Sequence, residues 1–365
     1  MTVRRYYDNA YKFLDQFDTS TGMHIRGDCI DSKRDPFMRS FPELLDIGIM
    51  GGCRSCRVCG VDCYQGGKPY DPNKDMRLDN YKAIIDEGSQ RGLFQVALGG
   101  AGNPNDHAYF GEILAYTRSK GVVPNYTTSG IGLSDQSVEL TARYVGAVAV
   151  SWYHQQFTVD AINKFLQANV KTSIHYVVSN ESIDDAINLL TNHRLKYVSN
   201  GEDQWFDLEA TNINAVIFLL YKPVGLGTVT KILCTSDNRL KDFFNKVSDN
   251  HPFKVGFDSC SVPAILNYSK DIEKSSIDTC EGGRFSAYIS ANMMMTPCSF
   301  DQSLKYGVDL STSSIEDAWN SDKFSEFRRK LFCSCLGCSN RTDCYGGCPL
   351  NRDIVLCDSV SNIPV

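Results

Sequence analysis

The 365-residue chain contains no apolar run that approaches membrane-spanning length; its longest, such as residues 213–221, are the size of buried strands. No membrane partner is therefore expected. Residues 1–11 hold Arg4, Arg5 and polar groups instead of an apolar h-region, so no secretory signal is visible and a reducing cytoplasmic setting is expected. There is no arginine-rich stripe with interleaved aromatics, and the formal net charge is −6. That balance disfavours nucleic acid as the principal partner. Internal repeats and low-complexity tracts are absent too. What remains is an ordinary apolar fraction of 42% in a chain long enough for one large domain and a smaller one.

Cysteine breaks this pattern, with fifteen residues. In a reducing compartment disulfides explain them poorly, and free thiols in such number suggest metal binding under low oxygen. Cys335, Cys338, Cys344 and Cys348 form C-x2-C-x5-C-x3-C, with Cys357 following and Cys280 and Cys298 preceding. Thiolates two or three residues apart converge on one centre from a tight turn, which serves iron-sulfur clusters or zinc. Seven cysteines in this order resemble the SPASM extension of radical S-adenosylmethionine (radical SAM) enzymes, which holds two auxiliary 4Fe-4S clusters. The resemblance assigns Cys280, Cys298 and Cys348 to the first auxiliary cluster, and Cys335, Cys338, Cys344 and Cys357 to the second. The first lacks a fourth ligand. Cys260 and Cys333 are the available thiols, and an open iron is the other solution.

Between the apolar run 44–50 and Gln65-Gly66-Gly67 lie Cys53, Cys56, Cys59 and Cys63. A buried strand running into a cysteine loop resembles the opening of a radical SAM barrel, where three cysteines hold a 4Fe-4S cluster. The usual C-x3-C-x2-C spacing is replaced here by C-x2-C-x2-C-x3-C. Cys63 with its trailing Tyr64 looks like the family's third cysteine, Cys56 and Cys59 are its nearest partners, and Cys53 is able to replace either. A cluster that cleaves S-adenosylmethionine needs one iron free of thiolate, so the fourth cysteine is either a spectator or a block. A fully ligated electron-transfer cluster or a zinc knot is the competing reading of this loop.

Apolar strand-like runs alternate with helical patterns between the cysteine regions. Strands are expected near 44–50, 94–98, 122–127, 147–151, 170–178 and 215–220, and helices near 78–91, 108–120, 137–144, 159–168 and 183–193. The fold class is α/β, a partial (β/α)6 TIM-like barrel with a C-terminal cysteine-rich iron-sulfur domain. Expected divisions are an N-terminal arm at 1–43, the barrel at 44–257 and a SPASM-like domain at 258–365. Ligands gather at the C-terminal ends of parallel strands, where the first cysteine loop falls.

Strand ends supply further candidates. Gly99-Gly100-Ala101-Gly102 looks like the family's Gly-Gly-Glu-Pro segment, which meets the amino group of S-adenosylmethionine, although Ala101 stands in the glutamate position. Read alone it is a turn. By the same resemblance Ser129, Ser151 and Ser179 contact the cofactor, while helix capping is their plainer reading. His175 reads as a satisfied interior histidine, and Trp152 and Tyr153 as packing beneath the pocket. Cys260 and Asp258 follow a barrel strand where substrate can be reached, as hydrogen donor and proton acceptor; a cluster-bound thiol and a turn cap are the alternatives. In the hairpin that resembles the first SPASM pair, Met293 occupies the family's glycine position. Cys29 and Cys234 have no metal-like neighbours and read as structural.

The resemblance implies reductive cleavage of S-adenosylmethionine and hydrogen abstraction from a peptide substrate with a leader, giving a crosslink, thioether or epimer, with electrons from flavodoxin or ferredoxin. Residues 1–43 either help dock the peptide or simply cover the barrel. Anaerobic sulfatase maturation and small-molecule dehydrogenation use the same framework. An iron-sulfur electron carrier or zinc module without S-adenosylmethionine cleavage is the alternative from another class.

Overall fold

The computed structural model describes residues 2–28, 37–269, 272–273, 276–331, 335 and 338–357; Cys29 and Cys333 lie outside the described residues. The N-terminal segment is an antiparallel meander of β1 (Val3–Asp8), β2 (Phe13–Asp18) and β3 (His24–Asp28). Along β2 the side chains alternate, so Phe13, Asp15 and Phe17 are buried. Phe17 stacks on Phe94 at 5.4 Å, and Arg4 donates to the Leu93 carbonyl at 2.8 Å. These contacts seat the meander where the barrel strands begin.

Six β/α units follow: β4 (Leu44–Gly51) and α1 (Leu78–Gln90), β5 (Gln95–Ala101) and α2 (Phe110–Ser119), β6 (Val123–Thr128) and α3 (Asp135–Tyr144), β7 (Val148–Ser151) and α4 (Gln156–Gln167), β8 (Thr172–Val178) and α5 (Ile183–Asn192), then β11 (Ala215–Leu220) and α6 (Arg239–Val247). A hairpin of β9 (Arg194–Ser199) and β10 (Glu202–Asp207) stands between α5 and β11, and β12 (Lys254–Phe257) and α7 (Val262–Tyr268) complete the series. The expected partial barrel is present, with element ends displaced by up to about three residues. Local chemistry sets the helices. In α1 the buried residues Tyr81, Ile84, Ile85 and Gly88 repeat at helical spacing, and Ser134 caps α3 by accepting from the Ser137 amide.

The barrel sheet does not stop at β12. Its order is β12-β11-β8-β7-β6-β5-β4-β13-β14-β15, with β13 (Ser286–Ile289) parallel to β4, and β14 (Met294–Thr296) and β15 (Val308–Asp309) antiparallel beyond it. The C-terminal region thus covers the open edge of β4. Helices α8 (Ile315–Trp319), α9 (Asp322–Lys330) and α10 (Arg341–Cys344) follow. Trp319 is fully buried and donates its indole N–H to the Arg39 carbonyl at 2.9 Å, tying this region to the segment before β4.

Candidate active site

Along the barrel strands buried and partly exposed residues alternate. Leu45, Ile47, Val96, Leu98, Ile174 and Tyr176 pack into the main core, while Asp46, Ala97, Asn125, Ser151, Ser173 and His175 between them keep accessible surface. Strand alternation puts these two sets on opposite faces. A closed TIM barrel fills its inner face with branched side chains. The small and polar residues here leave the lumen open.

The cysteine loop turns across the mouth of this lumen at the end of β4. Cys53 donates its amide to the Lys68 carbonyl at 2.9 Å, and a Cβ at Gly52 would come within 2.1 Å of the Pro69 oxygen, so only glycine lets the loop fold back here. Burial raises the Cys53 thiol, with Cys59, Cys56 and Cys63 as its charge neighbours, so the four sulfurs share one site. Cys56 also donates its thiol to the Gly67 carbonyl at 3.0 Å. The loop after β11 holds the cysteine loop: Leu226 donates to the Cys63 carbonyl at 3.0 Å, and Lys231 bridges Asp62 and Glu181 at 3.0 Å each. Gly102, at φ +110°, presses against the loop so closely that a Cβ would lie 2.4 Å from the Gly52 oxygen. The end of the Gly99-Gly100-Ala101-Gly102 segment therefore adjoins the start of the cysteine loop at Gly52 and Cys53.

Two further cysteine sets form in the C-terminal region. Cys260, Cys280, Cys298 and Cys348 converge from four separate segments. Burial pushes Cys280 up to about 12 with Cys260 as its nearest charge neighbour, and raises Cys298 beside both. The Cys260 thiol is held protonated by its hydrogen bond to the Cys348 sulfur. Cys260 thus stands beside Cys280, Cys298 and Cys348, and near Lys222. Cys335, Cys338, Cys344 and Cys357 line a cavity of about 200 Å³. Cys344 is pushed up to about 11 by burial, with Cys335 and Cys357 close by.

These sets fit a polynuclear cluster better than zinc. A tetrahedral zinc draws its sulfurs to about 3.8 Å from one another, given its Zn–S bonds. Among the described residues, the group whose ligand atoms all lie within 4.8 Å of one another is Asp15, His24 and Glu43. That group sits where the barrel strands begin, and guanidinium groups already serve it: Arg39 is 2.9 Å from Asp15 and Arg26 is 2.6 Å from Glu43.

Between the loop and the C-terminal sulfurs lies the lumen wall. The Tyr64 ring is 5.2 Å from Phe300, and Lys222 lies 4.8 Å over the same Phe300 ring. Burial pushes the Tyr64 phenol up to about 12, with Gln65 beside it. Gln65 is itself buried, and its Nε2 has no protein partner. Asp258 is 2.5 Å from Lys222 and accepts from Ser261 at 2.8 Å. Burial works against the Lys222 charge, but Asp258, by charge and hydrogen bond, together with Cys260 and Cys298 outweighs it and keeps the ammonium. His175 faces the same space and is lowered to about 4 by burial, hence neutral.

The sequence-based serines divide. Ser151 is on the lumen and hydrogen-bonds Tyr153. The Ser129 hydroxyl accepts from the Ile131 amide at 3.2 Å and that of Ser179 from the Glu181 amide at 3.2 Å, so both serve local turns. Asp258 is an ion-pair partner of Lys222. Sequence reasoning missed Asp46, Gln65, Lys222, Tyr288 and Phe300. Only Asp46 left a signal, as the one charge inside an otherwise apolar run.

The SPASM family of iron-sulfur cluster-binding domains matches residues 280–340. The whole chain resembles solved structures at low identity. Streptococcus suis SuiB bound to S-adenosylmethionine is 16% identical, with a TM-score of 0.64 over 89% of this chain and 78% of that one. SuiB bound to its precursor peptide SuiA is also 16% identical, with a TM-score of 0.66 over 89% and 77%. The protein anSMEcpe with bound S-adenosylmethionine and Cp18Cys peptide is 15% identical, with a TM-score of 0.59 over 86% and 90%. Residues 280–340 thus match an iron-sulfur cluster-binding domain, and the chain shares the fold of these S-adenosylmethionine-binding structures.

Proposed function

We propose that this protein is a radical SAM enzyme that modifies a peptide substrate. The observation that carries the reading is the placement of the four-cysteine loop at the C-terminal end of the first barrel strand, across an open and polar lumen. Three of Cys53, Cys56, Cys59 and Cys63 would hold a 4Fe-4S cluster, with Cys63 among them. When bound, that cluster and S-adenosylmethionine supply a 5′-deoxyadenosyl radical able to abstract hydrogen from an unactivated carbon. Gly99 to Gly102 would let the cofactor's amino end approach the loop, with Tyr64 and Ser151 beside it. Cys260, Cys280, Cys298 and Cys348 would hold one auxiliary cluster; Cys335, Cys338, Cys344 and Cys357 the other. The chain's own task is to hold the substrate carbon in the lumen and keep water out, through the aromatic wall of Tyr64, Tyr153, Tyr288 and Phe300. Two structural neighbours were solved with peptides, SuiA and Cp18Cys, which supports a peptide over a small molecule. A low-potential flavodoxin or ferredoxin in the cytoplasm would supply electrons.

The test is anaerobic reconstitution with iron and sulfide, reduction, addition of S-adenosylmethionine and chromatographic measurement of 5′-deoxyadenosine. Wild type should form it and Cys63→Ala should not. Cys260→Ala should keep near-wild-type product in the absence of substrate while changing the electron paramagnetic resonance of one auxiliary cluster. A fully iron-loaded wild type that forms no product would overturn the reading in favour of an electron carrier.

A further inference from the structure

Resting on the reading of the lumen as the substrate site, we propose that Asp46 selects the substrate: the lumen takes a peptide side chain bearing a positive charge, and the Asp46 carboxylate receives it. Asp46 lies on β4 opposite Ala97 of β5 and Tyr288 of β13, on the face that keeps accessible surface. Its neighbours in register, Leu45 and Ile47, point the other way into the core. Among the described residues the Asp46 carboxyl has no hydrogen bond and no ion pair, and the residue is half-buried.

A carboxylate in such a place is expensive unless something offsets it. Among the described residues, the charged groups near Asp46 have partners of their own. Lys222 pairs with Asp258 at 2.5 Å, and His175 is neutral. Glu281, whose field reaches Asp46, is held by Arg26 at 2.5 Å. Tyr64 and Tyr288, the other titratable groups beside Asp46, are phenols that burial keeps protonated. When ionised, Asp46 is left without a protein cation, and a cationic ligand is able to supply one. The surrounding rings suit the same guest, because aromatic faces attract a cation and pack against the alkyl chain that carries it. Burial, with Glu281 adding to it, raises Asp46 to about 7. The carboxylate form therefore gains over the acid as pH rises through neutrality, and affinity for a cation rises with it.

Equilibrium dialysis on the reconstituted enzyme with bound S-adenosylmethionine tests this with three probes, acetyl-Gly-Xaa-Gly-amide with lysine, norleucine or glutamate at Xaa. Wild type should prefer the lysine peptide to the norleucine peptide by about tenfold, with the glutamate peptide weakest. The preference should grow between about pH 6 and about pH 8. Asp46→Asn should remove both the preference and its pH dependence, and Asp46→Glu should restore part of each. The inference fails if wild type shows no lysine preference at about 10 mM peptide. Equal ranking by wild type and Asp46→Asn also overturns it, as does a variant that loses only S-adenosylmethionine, since Asp46 would then serve the cofactor's own positive charge. Absence of 5′-deoxyadenosine with the lysine preference intact would instead sink the radical chemistry and leave the selectivity standing.

Discussion

Arg39 is a tightly constrained charged residue. It is fully buried, stacks on Tyr6 at 3.9 Å, lies 2.9 Å from Asp15 and donates to the Gly92 carbonyl at 3.0 Å. Asp15 is equally buried, with His24 3.5 Å away on its other side. Removing one partner of such a pair strands the other charge in a low-dielectric interior, at a cost of about 3–5 kcal/mol. Arg39→Leu should therefore lower the denaturation midpoint sharply, while Arg39→Leu with Asp15→Leu should recover most of the loss. Equal damage in single and double variants would mean that packing, and not the stranded charge, sets the cost. Asp46 poses the opposite case. Its charge is left without a protein partner, at the site where the chain meets its ligand.

At the scale of elements, the hairpin between β13 and β14 turns at Met293, which adopts φ 65°. Its amide donates to the Ser290 carbonyl at 2.9 Å, and its carbonyl accepts from Leu310 at 2.9 Å, so the turn is held from both sides. The resemblance to SPASM sequences places glycine here, and the backbone explains why: this is the left-handed region that costs a non-glycine residue about 1–3 kcal/mol. Methionine keeps some packing against the core in exchange. Met293→Gly should thus fall within about 1 kcal/mol of wild type, because relief of strain offsets lost packing and lost chain rigidity. Met293→Val should cost more than Met293→Gly, since a β-branched residue fits the left-handed region worst. Chemical denaturation of the two variants decides the order, which burial alone would reverse.

For the whole molecule, the sheet makes the C-terminal region part of the barrel. The β4–β13 pairing runs from Leu44–Ser286 to Ile47–Ile289. Arg26 of the N-terminal meander bridges Glu43 at 2.6 Å and Glu281 at 2.5 Å, joining meander, barrel and cysteine region through one guanidinium. A chain ending at residue 257 would bare the edge of β4 beside its apolar core residues. Such an edge recruits other strands. That truncation should be recovered as aggregate or as a species without cooperative thermal unfolding. A soluble, cooperatively melting 1–257 fragment would show the barrel to be independent of β13.

The β/α series, the loop at the first strand's end and the order of the seven C-terminal cysteines were all legible in the sequence. Each is a local signal: apolar periodicity, glycine and proline punctuation, and thiol spacing. Which residues face the lumen was not, because an inward position acquires meaning only when its neighbours across the sheet are known. Asp46 is a lone acid in an apolar run until register places Tyr288 beside it, and Tyr288 is 242 residues away in the chain, across a pairing given by the fold. Cys260 lies outside the tight cysteine spacings, and only convergence of four distant segments sets it beside Cys280, Cys298 and Cys348. Lys222 and Asp258 likewise become a pair because parallel neighbours β11 and β12 end side by side. Sequence alone determined the elements and the chemical inventory, since both depend on neighbours along the chain. Tertiary structure decided the site, since charge compensation and thiol convergence depend on neighbours in space.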